Sequence, residues 1–259
     1  MRLEDLNIET HALPGAIPAW RAHIGVDRLR SVCEQVQASG GRLLALWGSD
    51  ERGSGMGFTL HIALATHPGL LVLNLALDTD KPAYPDISAI FPQAERMQRA
   101  AYDMLGLFAQ EALDHRKWVR HGCWPGGQFP LRKEFDFSQR LEAGLDAYPF
   151  VPVLGDGVHE IPVGPVHAGT IEPGHFRFSI VGERVLRLEE RLGYKHKGIE
   201  KLAETMDVLQ GAKLAGRVSG DATCAYAWAY AMALESMTSV TPPPRALFLR
   251  ALLLERERI

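Results

Sequence analysis

Cysteine is scarce: Cys33, Cys123 and Cys224 are the only three in a chain of 259 residues. None belongs to a CxxC pair or has a His or second Cys at ligand spacing, so this chain is not expected to complete a metal or cluster site. Three separated thiols fit a reducing, cytosolic compartment. An excess of one charge is also missing. Lys and Arg number 28 against 31 Asp and Glu, a formal net charge of -3, which argues for neither a polyanion nor a polycation as partner. There is no basic stripe, no aromatic-interleaved basic run and no zinc-finger spacing, so nucleic acid is not an expected partner. Long apolar runs are absent too. The longest, Gly69 to Leu77, suits a buried strand and is far too short to span a bilayer. The opening residues, MRLEDLNIETHALPG, carry acids, a His and a Pro where a signal peptide needs an apolar core.

What is present is an ordinary globular balance, 46% hydrophobic and 23% charged residues, in two stretches of different grammar. From Ala19 to Phe137 helical and strand patterns alternate. Val26 to Ala38 places Val26, Leu29, Val32, Cys33 and Val36 at helical intervals, and Gly40-Gly41 stops it. Arg42 to Trp47, Phe58 to Ala65 and Gly69 to Leu77 are three apolar runs separated by turns, the pattern of an antiparallel meander packed on helices. The Gly-rich segment Asp50 to Gly57 lacks the Lys-Ser/Thr of a P-loop and reads as the turn of a hairpin. Glu95 to Leu113 reads as one long amphipathic helix with a possible break at Gly106. A Gly- and Pro-rich stretch from Ala143 to Val158 is the candidate linker. Beyond it Phe176 to Ile180 alternates, Gly182-Glu183 turns the chain and Val185 to Leu192 returns. Helical grammar then covers Lys197 to Leu209, Thr223 to Met237 and Pro244 to Ile259. The last helix is so apolar that it is expected to continue into a bundle, as in a truncated chain.

The fold class expected is therefore α+β. An N-terminal α/β domain with a small, mainly antiparallel sheet occupies residues 1–142, and a β-hairpin leading into a helical bundle occupies 143–259.

Ordered motifs carry a resemblance. Tyr84-Pro85-Asp86-Ile87-Ser88, Ile90-Phe91-Pro92-Gln93-Ala94, Arg99, Tyr102-Asp103-Met104-Leu105-Gly106-Leu107, Asp114-His115-Arg116 and Phe129 to Phe135 together resemble the small hydrophilic subunit of complex I. Arg96, Gln98 and Ala100 stand where that family usually has Trp, Glu and Glu. The small hydrophilic subunit carries no cofactor, so the resemblance implies docking and packing roles, with Arg132 and Lys133 at a subunit contact. Pro162 to His167, Glu172 to Arg177 and Gly193-Tyr194-Lys195-His196-Lys197-Gly198-Ile199-Glu200-Lys201-Leu202 resemble the opening of the large subunit of membrane-bound nickel–iron hydrogenases. They are similar as well to the related quinone-site subunit of complex I. Formate hydrogenlyase and energy-converting hydrogenases belong to this circle.

In that register the Cys-Gly-x-Cys of the hydrogenases falls on Ser219-Gly220-Asp221-Ala222. A hydroxyl and a methyl replace two thiolates, the soft donors that hold nickel and iron, so hydrogen activation is not expected and no metal ligand is assigned. The resemblance implies catalytic-site positions at Glu200, which relays protons in the hydrogenases or is a plain helix-surface acid, and at His196. Arg217 and Asp221, four apart, are expected to pair inside the former metal cavity, or else to point outward and contribute little. His167 and His175 would donate to a quinone-like carbonyl or cap their loop. The tyrosine of the usual quinone site is Gly220 here. The resemblance thus implies a peripheral-arm subunit of a complex I-like or energy-converting-hydrogenase-related oxidoreductase, not active alone. It would bind no cofactor itself, with quinone held only in the assembled complex. Expected partners are an iron–sulfur small subunit and membrane-embedded antiporter-like subunits, and the expected location is the cytoplasmic face of the cell membrane, without a span. The alternative is a non-catalytic scaffold that couples or assembles an ion-translocating complex.

Overall fold

The computed structural model describes residues 3–122, 124–142, 144 and 147–259. Cys123 and the linker residues Ala143, Leu145 and Asp146 therefore lie outside the described residues. The chain is α+β, as its patterning predicts. Strands β1 (His11–Leu13) and β2 (Ala19–His23) precede helix α1 (Leu29–Ala38), followed by β3 (Arg42–Glu51), β4 (Gly57–Thr66) and β5 (Gly69–Leu77). Strand order is β1-β2-β5-β4-β3. The predicted meander is present, with β3, β4 and β5 antiparallel. Sequence reading missed β2, which joins the sheet parallel to β5. Five residues, AWRAH, are too few to show a period.

Alternation along the strands fixes the buried face. Phe58, Leu60, Ile62 and Leu64 on β4, with Leu71, Leu73 and Leu75 on β5, are wholly buried. They pack with Leu29, Val32, Cys33 and Val36 of α1 in one core cluster. Each such leucine removed from water contributes roughly 1.5–3 kcal/mol.

After β6 (Ala83–Pro85) comes α2 (Ala94–Leu105), then β7 (Phe108–Gln110), parallel to β6. The helix expected over Glu95 to Leu113 is broken at Gly106, where its glycine suggested a break. Gly106 adopts φ +81° and its N–H closes on the Tyr102 carbonyl at 2.8 Å, the left-handed C-terminal cap that glycine favours. A Cβ there would also sit 2.8 Å from the Phe129 ring. The departure of Gln98 from the family pattern has a physical reason. Its amide donates to Asp86 at 2.6 Å and accepts from the Ile87 N–H at 3.1 Å, a double role that a carboxylate beside Asp86 could not fill.

The second half contains β8 (His159–Val163), β9 (His175–Val181) and β10 (Arg184–Arg191), a three-stranded antiparallel sheet in the order β10-β9-β8. The predicted hairpin is β9–β10. Helices α3 (Ile199–Ala203), α4 (Val208–Ala215), α5 (Thr223–Thr238) and α6 (Pro244–Glu257) complete it. The one helix expected over Lys197 to Leu209 is two, because Asp207 starts a new one. Its carboxylate accepts from the Gln210 N–H while the Gln210 side chain accepts from the Asp207 N–H, a capping box. Among the described residues no helix is long and apolar enough to cross a membrane.

Candidate functional site at the seam between the halves

Among the described residues, the segment from Trp118 to Phe137 has no helix or strand, and α2 holds it. Asp103, 1% exposed, accepts on one oxygen from the N–H groups of Trp118, Val119 and Arg120 at 2.7, 2.8 and 3.1 Å. Leu131 N–H bonds the Met104 carbonyl and the Arg132 guanidinium bonds that of Leu105. The Tyr102-Asp103-Met104-Leu105 motif thus shapes a loop that faces the second half.

Across the seam, β10 ends next to Leu192, whose carbonyl lies 3.1 Å from His121 Nε2. Gly193 passes against Val119 and His121, and the Tyr194 ring meets His121 edge-on at 4.8 Å. Lys201 Nζ donates to the Arg132 carbonyl at 3.0 Å, and Lys133 Nζ to Glu204 at 2.8 Å. Arg132, through its carbonyl, and Lys133, through its ammonium, thus meet the second half of their own chain. Between these elements lies a cavity of about 460 Å³, with Met104, Trp124 and Phe135 on one side and Tyr194, His196 and Lys201 on the other.

A second zone of the seam is ionic. Arg116 bonds Asp114 at 2.6 Å and Glu189, on β10, at 2.6 Å. Arg99 reaches Asp114, the Arg116 carbonyl and the Tyr148 hydroxyl. Burial pushes the carboxyls of Asp114 and Glu189 up, but hydrogen bonds from Arg116, the Val151 N–H at Glu189 and the nearby guanidinium charges together hold both below their ordinary values. Arg191 stacks over Tyr148 at 4.2 Å.

Residues 22–141, which take in α1, strands β3 to β5, α2 and the whole of this loop, match the family of the respiratory-chain NADH dehydrogenase 30 Kd subunit. That stretch belongs to the 30 Kd subunit family. Over 96% of its length the chain is 35% identical to formate hydrogenlyase subunit 5 of Escherichia coli K12. Over 85% it is 35% identical to hydrogenase-4 component G of the same organism. It is 28% identical over 84% to the C/D chain of the NADH-quinone oxidoreductase of Phocaeicola vulgatus. The chain covers 47%, 41% and 45% of those relatives, about half their length.

Beyond the 30 Kd domain, the site residues expected from the sequence do not converge. His196 lines the seam cavity, and its Nδ1 accepts from the Gly198 N–H at 3.2 Å. Glu200, at the start of α3, is exposed and outside the cavity lining. Arg217 and Asp221 are both exposed, and among the described residues no ion pair joins them, so the buried pair expected there is not what the fold shows. The register stretch Ser219 to Ala222 forms a single tight turn before α5. Its side chains are a hydroxyl, a carboxylate and a methyl, which do not fit the thiolate set of a nickel–iron site. Cys224 lies two residues on, its N–H bonded to Glu257 of α6.

His167 and His175 meet at the turn around Gly164. His175 Nδ1 lies 3.0 Å from the Gly164 carbonyl and His167 Nδ1 accepts from the Gly169 N–H. Each ring keeps a buried Nε2 without a hydrogen-bond partner. Sequence reading did not single out Arg120, His121 or Trp124, which lie in a stretch with no periodicity. Tyr194 and Lys201 were visible only as members of the Tyr-x-His signature.

Proposed function

We propose that the chain is a peripheral-arm subunit of a membrane-bound electron-transfer complex related to NADH:quinone oxidoreductases and energy-converting hydrogenases, and that it holds no nickel–iron site. The observation that carries this is the order of its two parts. A 30 Kd-family sheet domain runs directly into a hairpin and helices, and the relatedness to formate hydrogenlyase subunit 5 extends over 96% of the chain. In this reading the exposed α3–α6 face, with Glu200, Arg217 and Asp221, borders a remnant active cavity that other polypeptide completes beside an iron–sulfur subunit. Membrane attachment then comes from embedded antiporter-like partners on the cytoplasmic face. Quinone, the cofactor of that remnant cavity, would be approached by His167 and His175 through their free Nε2 atoms. The test is purification of the tagged chain from detergent-solubilised membranes of its native host. Co-purification of an iron–sulfur protein and membrane subunits, with quinone reductase activity and no nickel, is expected. A chain recovered alone from the soluble fraction, or stoichiometric nickel, defeats the proposal.

The dispersed, exposed placement of Glu200, Arg217 and Asp221 favours a second reading, a non-catalytic scaffold of an ion-translocating complex. Saturable binding of a quinone analogue to the intact assembly supports the first reading, and an assembly that binds none supports the second.

A further inference from the structure

The seam cavity has the size of a small-molecule site, about 460 Å³. Its walls are aromatic. Trp124 and Phe135 lie tilted together at 5.6 Å on one side, and the His121–Tyr194 pair closes the other. Tilted and edge-on rings of this kind can pack against a flat ring of another molecule.

Its polar lining is rich in donors. His196 Nδ1 is occupied as an acceptor by the Gly198 N–H, which in a neutral imidazole places the proton on Nε2 and makes that atom a donor. Lys201 directs its ammonium to the Arg132 carbonyl at 3.0 Å and to Glu204 at 3.1 Å, and an ammonium has three hydrogens to give. Arg120, 4% exposed, pairs through Nε with Asp103 at 3.5 Å and donates from Nη1 to the Gln128 carbonyl at 2.6 Å, so it adds positive charge to the lining rather than a spare donor. No carboxylate is among the lining residues described. Asp103 and Glu204, which partner Arg120 and Lys201, are not part of the lining.

A flat aromatic slot with N–H donors and no lining acid selects for a ring that carries an acceptor anion. Because carboxylates already offset Arg120 and Lys201, a singly charged group suits the site better than a doubly charged phosphate. We propose that the cavity binds a planar aromatic carboxylate, with its ring among Trp124, Phe135 and Tyr194 and its carboxylate toward His196 and Lys201. Both halves supply the walls, so the ligand would also tie them together. This site does not depend on assembly into a membrane complex and goes beyond the function proposed above.

The test is titration calorimetry of the full chain, alone and in buffer, with 2-naphthoate and with its neutral analogue 2-naphthalenemethanol. One-to-one binding of the acid is expected, with the alcohol weaker by roughly tenfold, the scale of a charge-assisted hydrogen bond. His196→Ala and Lys201→Met should each weaken the acid by a similar factor. Val119→Trp, which fills the cavity, should abolish binding, while Leu252→Ser on the exposed α6 should leave it unchanged. Circular dichroism and Tm confirm that each variant is folded. Equal affinity for the alcohol, retained affinity in either substituted variant or in Val119→Trp, loss of affinity in Leu252→Ser, or no heat up to the solubility limit each overturn the proposal. Since the measurement uses the isolated chain, failure to assemble in membranes leaves its outcome unaffected.

Discussion

The two halves of this molecule spend their apolar residues differently. Up to Ala109 most large hydrophobic side chains of β3, β4, β5 and α1 point into one core, with Leu44 and Trp47 of β3 turned outward. Past Ala109, Leu214 is the only buried apolar residue among those described. Helices α5 and α6 bury no residue, and Met237 and Phe248 are 81% and 77% exposed. A helix apolar on several faces is stable when other surfaces surround it. The sheet half therefore carries its own stability. The helical half relies on local hydrogen bonds and on the seam.

The largest test of that contrast is a pair of core and helix substitutions. Ile62→Ala, at a wholly buried position, should lower stability by about 3 kcal/mol through lost burial and a residual cavity. Leu252→Ser, at a position 57% exposed, should change it by less than about 0.5 kcal/mol. Urea unfolding of both variants decides it. Equal losses would mean that α6 is packed in solution and that the contrast is wrong.

The seam comes next in size. Glu189 is 8% exposed and ties Arg116 to the Val151 N–H. Glu189→Gln should cost roughly 2–3 kcal/mol, as expected for weakening a buried charge-assisted pair. The readout is proteolysis of the 147–158 stretch, which should accelerate while the sheet domain stays resistant. Unfolding of both halves together would show that they form one cooperative unit.

Asp50 offers a pH test confined to the first half. Hydrogen bonds from Arg52, with those from the Lys133 and Arg52 N–H groups, hold its carboxyl at about 2 despite burial. A carboxyl depressed in the folded state stabilises fully above its unfolded value of about 3.9 and loses that contribution as pH falls through the folded value. Asp50→Asn should thus cost roughly 2 kcal/mol at neutral pH. The deficit should shrink between about pH 4 and pH 2, measured by urea midpoints across that range. A deficit that does not vary with pH would mean that the carboxylate charge contributes nothing.

These tests track the line between what the sequence discloses and what it hides. The sheet half is legible because half-buried strands alternate and because Gly40 falls where the chain leaves α1 for β3, as Gly182 does between β9 and β10 in the second half. The seam is not legible. Asp103 looks like an ordinary helix residue, yet it gathers three N–H groups from residues 15 to 17 further along, a long-range service that no local period announces. The same holds for Glu189, whose partners lie 38 and 73 residues away. Of the expected site residues, His196 reaches the cavity because Gly193 and Gly198 bend the chain there. Arg217 and Asp221 have helical spacing, but the chain is extended between them at Ser219 and never forms the helical turn that would pair them.

The smallest test asks how far the second half can hold itself. Asp207 lies beyond the seam contacts of Lys201 and Glu204, at the N-terminal cap of a helix with little buried surface, so its contribution is almost purely local. Asp207→Ala removes one half of the capping box and should cost about 1 kcal/mol, whereas Asp207→Asn, which caps equally well, should cost only a few tenths. Hydrogen exchange at the Gln210 amide, which bonds Asp207 at 2.8 Å, reads this directly. If the helical half draws its order from local signals, protection there falls in the alanine variant while the β4 and β5 amides stay unchanged. If protection survives, α4 is held by packing on α5, and the two halves are less different than their cores suggest.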